Sequence, residues 1–540
     1  MKASGNEGRS RWVMTAVILG SGIVFLDGTI VNVALPRMGK ELPATLVGVL
    51  EGQAYITSGY LAVLAALLII SGALADRYGR RRVFSIGLAG FGVVSLLCGL
   101  APTLEFEVLF RLLQGAAGAL LVPGSLSLIT ANFEGPARGR AFGLWAASTS
   151  ALTLFGPLVG GALVDILSWR VAFLINVPLV IVALYATLRH VPESRDEQAP
   201  RHLDWLGSIV IAVAVGGVSF GLIRGQELEW NDGLAFAALG MGVVASILFP
   251  ILMVTRKDPL VPPDLFRRRN FTVINLSTLL IYGALYVTQS FQSLFLQGVL
   301  GYSALAAASV GLPIGVMLSL GSTRVGSIAG RVGPRLFLVV GPCIMAAGLL
   351  WYVRTPVTSH PWVIQPGSLA SYVPPMDTLV DIMPAILLFG VGITLVVAPL
   401  TTALMNSVPV RNAGLGSAIN NSVSRVGQPL LMAVLFIAIS ATFYRSVGSL
   451  IPGLDTSSAD VRHAIQPLNP PAATVPADQR ATINQASTDA FHLAMIVSAS
   501  LLLVGAAVNG LGLRSGAPAS ESAEAVPAAL PEAAGGGPPA

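Results

Sequence analysis

Lysine, histidine and cysteine are all scarce in this chain of 540 residues, and each scarcity excludes something. The two cysteines, Cys98 and Cys343, each stand alone inside an apolar run, which argues against a disulfide framework and a cysteine-based metal site; no metal is expected. The five histidines (His190, His202, His360, His463 and His492) fall in polar stretches or at the ends of apolar runs, so no imidazole is available deep inside a membrane to carry protons. The single Gly-Lys pair, Gly39-Lys40, is followed by Glu41, so the phosphate-cradling G-x-x-x-x-G-K-[ST] loop is missing and ATP is not the energy source. The zinc-protease pattern H-E-x-x-H is absent too, and nothing points to an enzyme. Lysine occurs three times (Lys2, Lys40, Lys257), so the pI near 9.4 comes from arginine. Most arginine lies between apolar runs, which suits orientation in a bilayer better than nucleic-acid binding.

What is abundant is apolar sequence: 54% hydrophobic residues against 11% charged, with a mean hydropathy of +0.75. A helix needs about 20 apolar residues to cross the hydrocarbon core, and fourteen such runs are present between residues 13 and 513. The expected fold is therefore an all-α polytopic membrane protein. An even number of spans puts both termini on one side. Counting Lys and Arg by loop then gives 22 on the side of the termini and 8 on the other, which predicts cytoplasmic termini. The expected organisation is a cytoplasmic N-terminus (1–12), a first six-helix half (13–188), linkers with two inserted helices (189–270) and a second six-helix half (271–513). The second half carries long external loops at 354–379 and 445–489, and an Ala/Pro/Gly-rich tail (514–540) is expected to be disordered.

Two related halves are implied by an internal repeat. G-A-L-A-D-R-Y-G-R-R at 72–81 recurs 254 residues later as G-S-I-A-G-R-V-G-P-R, identical at five of ten positions. Gly72 and Gly79 permit a tight turn and close helix approach, and Asp76 can pair with Arg77, Arg80 or Arg81 or sit at a helix N-terminus. A simple positive-inside anchor remains the alternative. The fourth span carries Arg111 in L-F-R-L-L-Q-G-A-A-G-A, and a charge at that depth demands a partner or a solvated cavity. Glu107 lies one turn earlier on the same face. In the fifth span Gly156, Pro157, Gly160 and Gly161 form a small-residue face for close helix packing.

These motifs in order resemble the major facilitator superfamily: G-x-L-x-D-R-x-G-R-[KR] between helices two and three, an arginine in the fourth helix, and G-P-x-x-G-G on the fifth, which marks exporters. L-D-G-T-I-V-N-V-A-L-P at 26–36, S-W-R-V-A-F-L-I-N-V-P at 168–178, D-W-L-G at 204–207 and L-F-L-Q-G-V-L-G-Y-S at 294–303 are similar to the fourteen-helix drug:proton antiporters of the EmrB/QacA type, over residues 11 to about 513. The resemblance implies the major facilitator fold, six plus two inserted plus six helices in two pseudo-symmetric halves. It also implies that the loop around Asp76 acts as a latch between them. The second copy of the loop has Gly330 in place of Asp76, so the latch is asymmetric.

Asp27 is the one carboxylate deep within a span. It lies nine residues before Pro36, ~13 Å along the helix, and Arg111 lies eight after Thr103, ~12 Å in. The depths agree, and Asp27 and Arg111 with Glu107 are the candidate proton-coupling groups. Glu107, nearer its helix end, is expected to be the more hydrated. Asn32, Gln114, Gln289, Gln292, Phe291, Phe295 and Arg425, with Asn275 and Gln297, are the candidate lining of a substrate cavity, its mixed amide and aromatic surface suited to amphipathic compounds; interhelical hydrogen bonding and packing are the alternative for each. The expected function is proton-coupled efflux of amphipathic drugs from the cytoplasm, driven by the proton gradient without a cofactor. The expected partners are a small organic molecule, protons and the lipid bilayer, not nucleic acid. A dedicated exporter of one metabolite, antibiotic or lipid, and a non-transporting scaffold, stay open.

Overall fold

The computed structural model describes residues 2–195, 204–257, 259–365, 367–408, 413–472 and 474–514. The expected tail beyond 514, part of the linker before Asp204, and Arg411 lie outside the described residues. Among the described residues fourteen helices are long and apolar enough to cross a membrane. They are α1 (Gly8–Glu41), α2 (Val49–Tyr78), α3 (Arg80–Gly99), α4 (Leu104–Asn132), α5 (Arg140–Ile166), α6 (Trp169–His190) and α7 (Trp205–Glu227), then α8 (Gly233–Thr255), α9 (Arg269–Val299), α10 (Ala304–Ser322), α11 (Arg335–Tyr352), α12 (Thr378–Ser407), α13 (Leu415–Leu450) and α14 (Ala477–Gly512). No strand occurs among the described residues. With no water in the hydrocarbon core, helices satisfy every backbone donor and acceptor within the segment.

The repeat in the sequence has a counterpart in the packing. In the first half α1 packs on α5 and α6, α4 on α2 and α3, and α3 on α6; in the second half α9 packs on α13 and α14, α12 on α10 and α11, and α11 on α14. Each of these five pairs thus recurs with every helix replaced by the one eight places later. The helices α7 and α8 pack tightly on each other, and α7 lies against both α2 and α13, so the inserted pair covers one seam between the halves. Close approach within the pair comes from Gly217, Gly221 and Gly242, where an added Cβ would meet backbone of the other helix at 2.4–2.8 Å. Gly217-Val218-Ser219-Phe220-Gly221 has the letters of a nucleophile elbow, but it runs through the continuous helix α7 and not a strand-to-helix turn.

The bundle has a terminal face, where α1 begins and α14 ends, and an opposite face. Near the opposite face the halves are sewn together. Ser290 donates to Asn32 Oδ1 at 3.0 Å, Gln297 Nε2 to the Val33 carbonyl at 3.1 Å, and Gln53 and Asn469 exchange two amide hydrogen bonds of 3.0 Å. The carboxylate of Asp165 at the end of α5 accepts the Ala304 and Leu305 N–H groups that open α10. Leu468, buried with a φ of 59°, presses its carbonyl so close to Gly298 that a Cβ there would meet it at 2.1 Å. Gly298 belongs to a π-helical turn, Phe295–Val299, that ends α9. Toward the terminal face these contacts thin out: α5 packs on the first turns of α10 and barely on its continuation. Ser422 Oγ to the Ala65 carbonyl, 3.1 Å, is the inter-half hydrogen bond set farthest from the opposite face among the described residues.

The loops are shorter than hydropathy suggests. α13 runs on to Leu450 and α14 begins at Ala477, so the expected loop 445–489 shrinks to the residues between them and itself contains a helix, Ala459–Ala464. Polar turns such as A-D-Q-R-A-T-I-N-Q lower the hydropathy without interrupting the helix. In the loop at 354–379, Asp377 accepts hydrogen bonds from the His360 backbone N–H and ring, at 2.9 and 2.6 Å, which hold its carboxyl below the usual carboxylate range. The stability this clasp contributes is present above the ordinary carboxylate value and lost only as pH falls through the lowered one.

Asp204 anchors the inserted pair. Its carboxylate caps α7 through the Gly207 N–H at 2.9 Å, pairs with Arg256 at 2.8 Å and accepts the Leu260 N–H at 3.0 Å. Losing an N-cap costs about 0.5–2 kcal/mol, so Asp204→Ala should lower the thermal unfolding midpoint of the detergent-solubilised protein, and Asp204→Asn, which keeps an acceptor, should lower it less. Equal midpoints in all three proteins would refute the anchoring role.

Candidate functional site

Inside the first half Arg111 Nη1 lies 2.5 Å from Asp27 Oδ2, with both side chains 1% exposed. The agreement in depth along α1 and α4 is thus also a contact. Arg111 is held from three further directions: Nη1 donates to Gln114 Oε1 at 2.5 Å, Nε donates to the Ile56 carbonyl of α2 at 3.3 Å, and the guanidinium carbon sits 4.0 Å from the Tyr60 ring centroid. The other carboxylate oxygen, Asp27 Oδ1, accepts from Gln114 Nε2 and from Asn176 Nδ2, each at 3.2 Å. Ser95 Oγ of α3 receives the same two amides, at 2.8 and 3.3 Å, and so fixes their rotamers. Five helices, α1 to α4 and α6, therefore converge on one ion pair.

Sequence reasoning missed Ser95, Asn176 and Tyr60 as site residues. Asn176 stood inside the S-W-R-V-A-F-L-I-N-V-P motif, the one signal that marked it; Ser95 and Tyr60 carried none beyond being polar in an apolar run. Gln114, expected in a cavity wall, is fully buried in this network. Glu107 needs a larger correction. It was expected to be hydrated and a possible partner of Arg111, yet it is 0% exposed and makes no ion pair, and neither carboxyl oxygen has a hydrogen-bond partner among the described residues. It lies beside the Cys98 thiol of α3, whose packing on α4 shuts out water.

The expected cavity lining divides in two. Phe291 and Phe295 do not face a cavity: one turn apart on the same face of α9, both are fully buried in the core, and Phe295 stacks on Phe491 of α14 with ring centroids 4.0 Å apart. Asn275 is also buried, accepting from Asn420 at 3.1 Å. Asn32, Gln289, Gln292 and Arg425 are half-buried, and two of them make contacts between the halves, Asn32 with Ser290 and Arg425 with Phe25.

The glycine face of α5 is an interface on both sides. A Cβ on Gly156 would meet Thr29 Oγ1 at 2.2 Å and one on Gly160 would meet the Ile30 Cα at 3.2 Å, both on α1. A Cβ on Gly161 would meet the Leu305 Cα at 2.7 Å, across in the second half. Pro157, between them, lies within the helix.

Comparison with known proteins places these features. The family model for the Major Facilitator Superfamily matches residues 17–432. The chain belongs to this superfamily. It is a transporter-type protein of that fold and not an enzyme. The chain is 31% identical to the tetracenomycin C resistance and export protein of Streptomyces glaucescens, over 94% of this chain and 92% of that one. It is 31% identical to the multidrug resistance protein Stp of Mycobacterium tuberculosis, over 79% and 76%. A bacterial homolog of the human lysosomal transporter Spinster, solved in an inward-facing and occupied conformation, superposes with a TM-score of 0.63 at 18% identity, covering 93% of this chain and 96% of that one, which supports the fold alone.

The superfamily's loop between α2 and α3 is locally well ordered. Gly79, with φ 108°, makes the turn that only glycine adopts freely, and Arg80 bonds back to Asp76 at 2.8 Å. Glu193 occupies the open N-terminus of α3, accepting the Arg81 and Arg82 N–H groups at 3.0 and 3.2 Å. Arg77 lies against the Tyr78 ring. Gly72 does not serve close approach as expected: an added Cβ there would meet nothing within 4 Å.

The geometry of α5 yields a graded prediction. Gly161→Leu and Gly160→Leu should abolish dye export by exporter-deficient cells at equal expression, because each forces backbone apart, whereas Gly143→Leu on the same helix, facing open space, should retain it. Full activity in Gly161→Leu would show that α5 and α10 need not approach.

Proposed function

We propose that the chain is a proton-coupled antiporter that exports amphipathic, drug-like organic compounds from the cytoplasm, with both termini cytoplasmic in the cell membrane. The relatives named as resistance and export proteins, at 31% identity over most of the chain, support export of such compounds. The excess of arginine on the terminal face supports the orientation. In that orientation the sewn face is external and the halves part toward the cytoplasm. The observation that carries proton coupling is the buried carboxyl group of Asp27, 2.5 Å from Arg111 inside the first half.

The chemistry follows from the pair. With Asp27 ionised, Arg111, Gln114 and Asn176 all point donors at it, and the five helices are locked together. A proton arriving on Asp27 from the external side, once that face has opened, removes the charge that Arg111 neutralises, and the guanidinium must then find another acceptor. Return to the present arrangement expels the proton toward the cytoplasm and restores the pair. Exchange results if substrate release and proton uptake occur from the same externally open form.

Asp27→Asn keeps the size and hydrogen bonding of the protonated acid and cannot ionise. The variant should insert normally and bind substrate, but in proteoliposomes it should not accumulate a fluorescent drug against its gradient when a pH gradient is imposed. Uphill pumping at the parent rate would show Asp27 to be structural.

A further inference from the structure

The second half presents to the space between the halves a cation that no carboxylate neutralises. Arg425 lies ten residues after Leu415, the start of α13, ~15 Å along the helix. Its guanidinium carbon stands 5.9 Å from the Phe25 ring centroid on α1, so the side chain reaches across to the first half. Its Nε is buried without a hydrogen-bond partner, and among the described residues Arg425 makes no ion pair.

The surrounding charges do not compensate it. Asp27 is within electrostatic reach of the neighbouring Tyr60, as Arg425 is, but Asp27 is already engaged by Arg111 at 2.5 Å and by two amides. Glu107 is sealed behind that pair. In the second half, α9, α10, α11 and α13 contain no carboxylate, and Asp381, Asp478 and Asp489 stand in the parts of α12 and α14 toward the opposite face. A guanidinium at this depth held by little more than an aromatic face is costly and is retained where it meets a ligand.

We infer that Arg425 selects substrate by charge, and that the transported compounds are amphipathic organic acids whose carboxylate or phenolate pairs with its guanidinium. Lipophilic cations are disfavoured by the same charge. The inference rests on the exporter reading above and names its substrate class. A guanidinium offers a carboxylate two parallel N–H donors in a fixed fork, and like charge in a site of low dielectric rejects the wrong partner.

Two xanthene dyes of opposite charge, fluorescein and rhodamine 6G, test this on the purified protein by fluorescence anisotropy, beside proteoliposome accumulation under a pH gradient. Wild type should bind fluorescein at least about tenfold more tightly than rhodamine 6G. Arg425→Gln should weaken fluorescein about tenfold while leaving or improving rhodamine 6G, and Arg425→Lys, which keeps the charge but not the fork, should bind fluorescein more tightly than Arg425→Gln and less tightly than wild type. Unfolding midpoints equal to wild type confirm that the variants are folded. The inference is overturned if folded Arg425→Gln binds fluorescein as wild type does, if both dyes weaken equally, or if wild type prefers rhodamine 6G or binds neither dye. Fluorescein binding that depends on Arg425 without gradient-driven accumulation would sustain the inference and sink the antiporter reading.

Discussion

Burying Asp27 against Arg111 in the middle of a six-helix half is tolerable only because the remaining hydrogen-bonding capacity of the pair is met by groups from other helices. Removing two charges from water costs several kcal/mol per ion, which mutual attraction offsets only with good geometry and further hydrogen bonds. Here the second carboxylate oxygen takes two amides, Arg111 Nε takes a backbone carbonyl, and the guanidinium face takes Tyr60. A well-packed apolar substitute for such a pair is often neutral or stabilising, so stability alone gives no reason for it. A reversible charge gives one. The network also ties α1, α2, α3, α4 and α6 together: any of them that shifted alone would leave a buried donor or acceptor unmet.

The two halves share an arrangement of helices but not of charge. Every helix pair described in the first half recurs eight helices later, yet the second half has no counterpart of Asp27 and no acid in α9, α10, α11 or α13. Toward the opposite face it is packed with aromatic rings, Phe295 on Phe491 and Phe491 against Tyr352. Duplicated architecture thus carries unequal chemistry: one half holds the buried Asp27–Arg111 pair, and from the other Arg425 reaches across to Phe25. The inserted helices add a constraint of their own, because α7 touches both α2 and α13 and must slide on at least one of them whenever the halves rock.

The fourteen spans and the duplicated plan were legible because each rests on a run of residues whose average is decisive even when its ends are not. The ends failed where polar helical turns extend past the bilayer, as at Ala477 and Leu450. The ion pair was half legible: the rise of a helix puts Asp27 and Arg111 at one depth, but nothing in one dimension distinguishes Arg111 facing α1 from Arg111 facing Glu107 on its own helix. Ser95 and Asn176 were illegible as partners, since small polar residues at helix contacts are common and their meaning depends on which helix comes to lie opposite. The burial of Glu107 and Phe295 was misjudged for related reasons, the first because nearness to a helix end was equated with hydration, the second because the sequence does not show which face of α9 meets α14 and which meets the other half.

The seal at the opposite face has a strength suited to being broken. Its polar members are neutral amide, hydroxyl and backbone contacts, Ser290 with Asn32, Gln297 with Val33 and Gln53 with Asn469, together with one carboxylate, Asp165, on two N–H groups. A neutral hydrogen bond is worth about 0.5–1.5 kcal/mol net and one to a charged group about 1.5–3, and water can replace them when the face opens. These six bonds sum to roughly 5–12 kcal/mol, the same order as the ~5.5 kcal/mol that inverts a two-state population from one in a hundred to ninety-nine. A seal built from buried charge pairs would lie well outside that range. The Asp27–Arg111 pair lies within one half and need not break for this face to open, and charged contacts reach the seam only by way of the inserted helices, Glu51 with Arg224 on one side and Arg462 with Glu229 on the other.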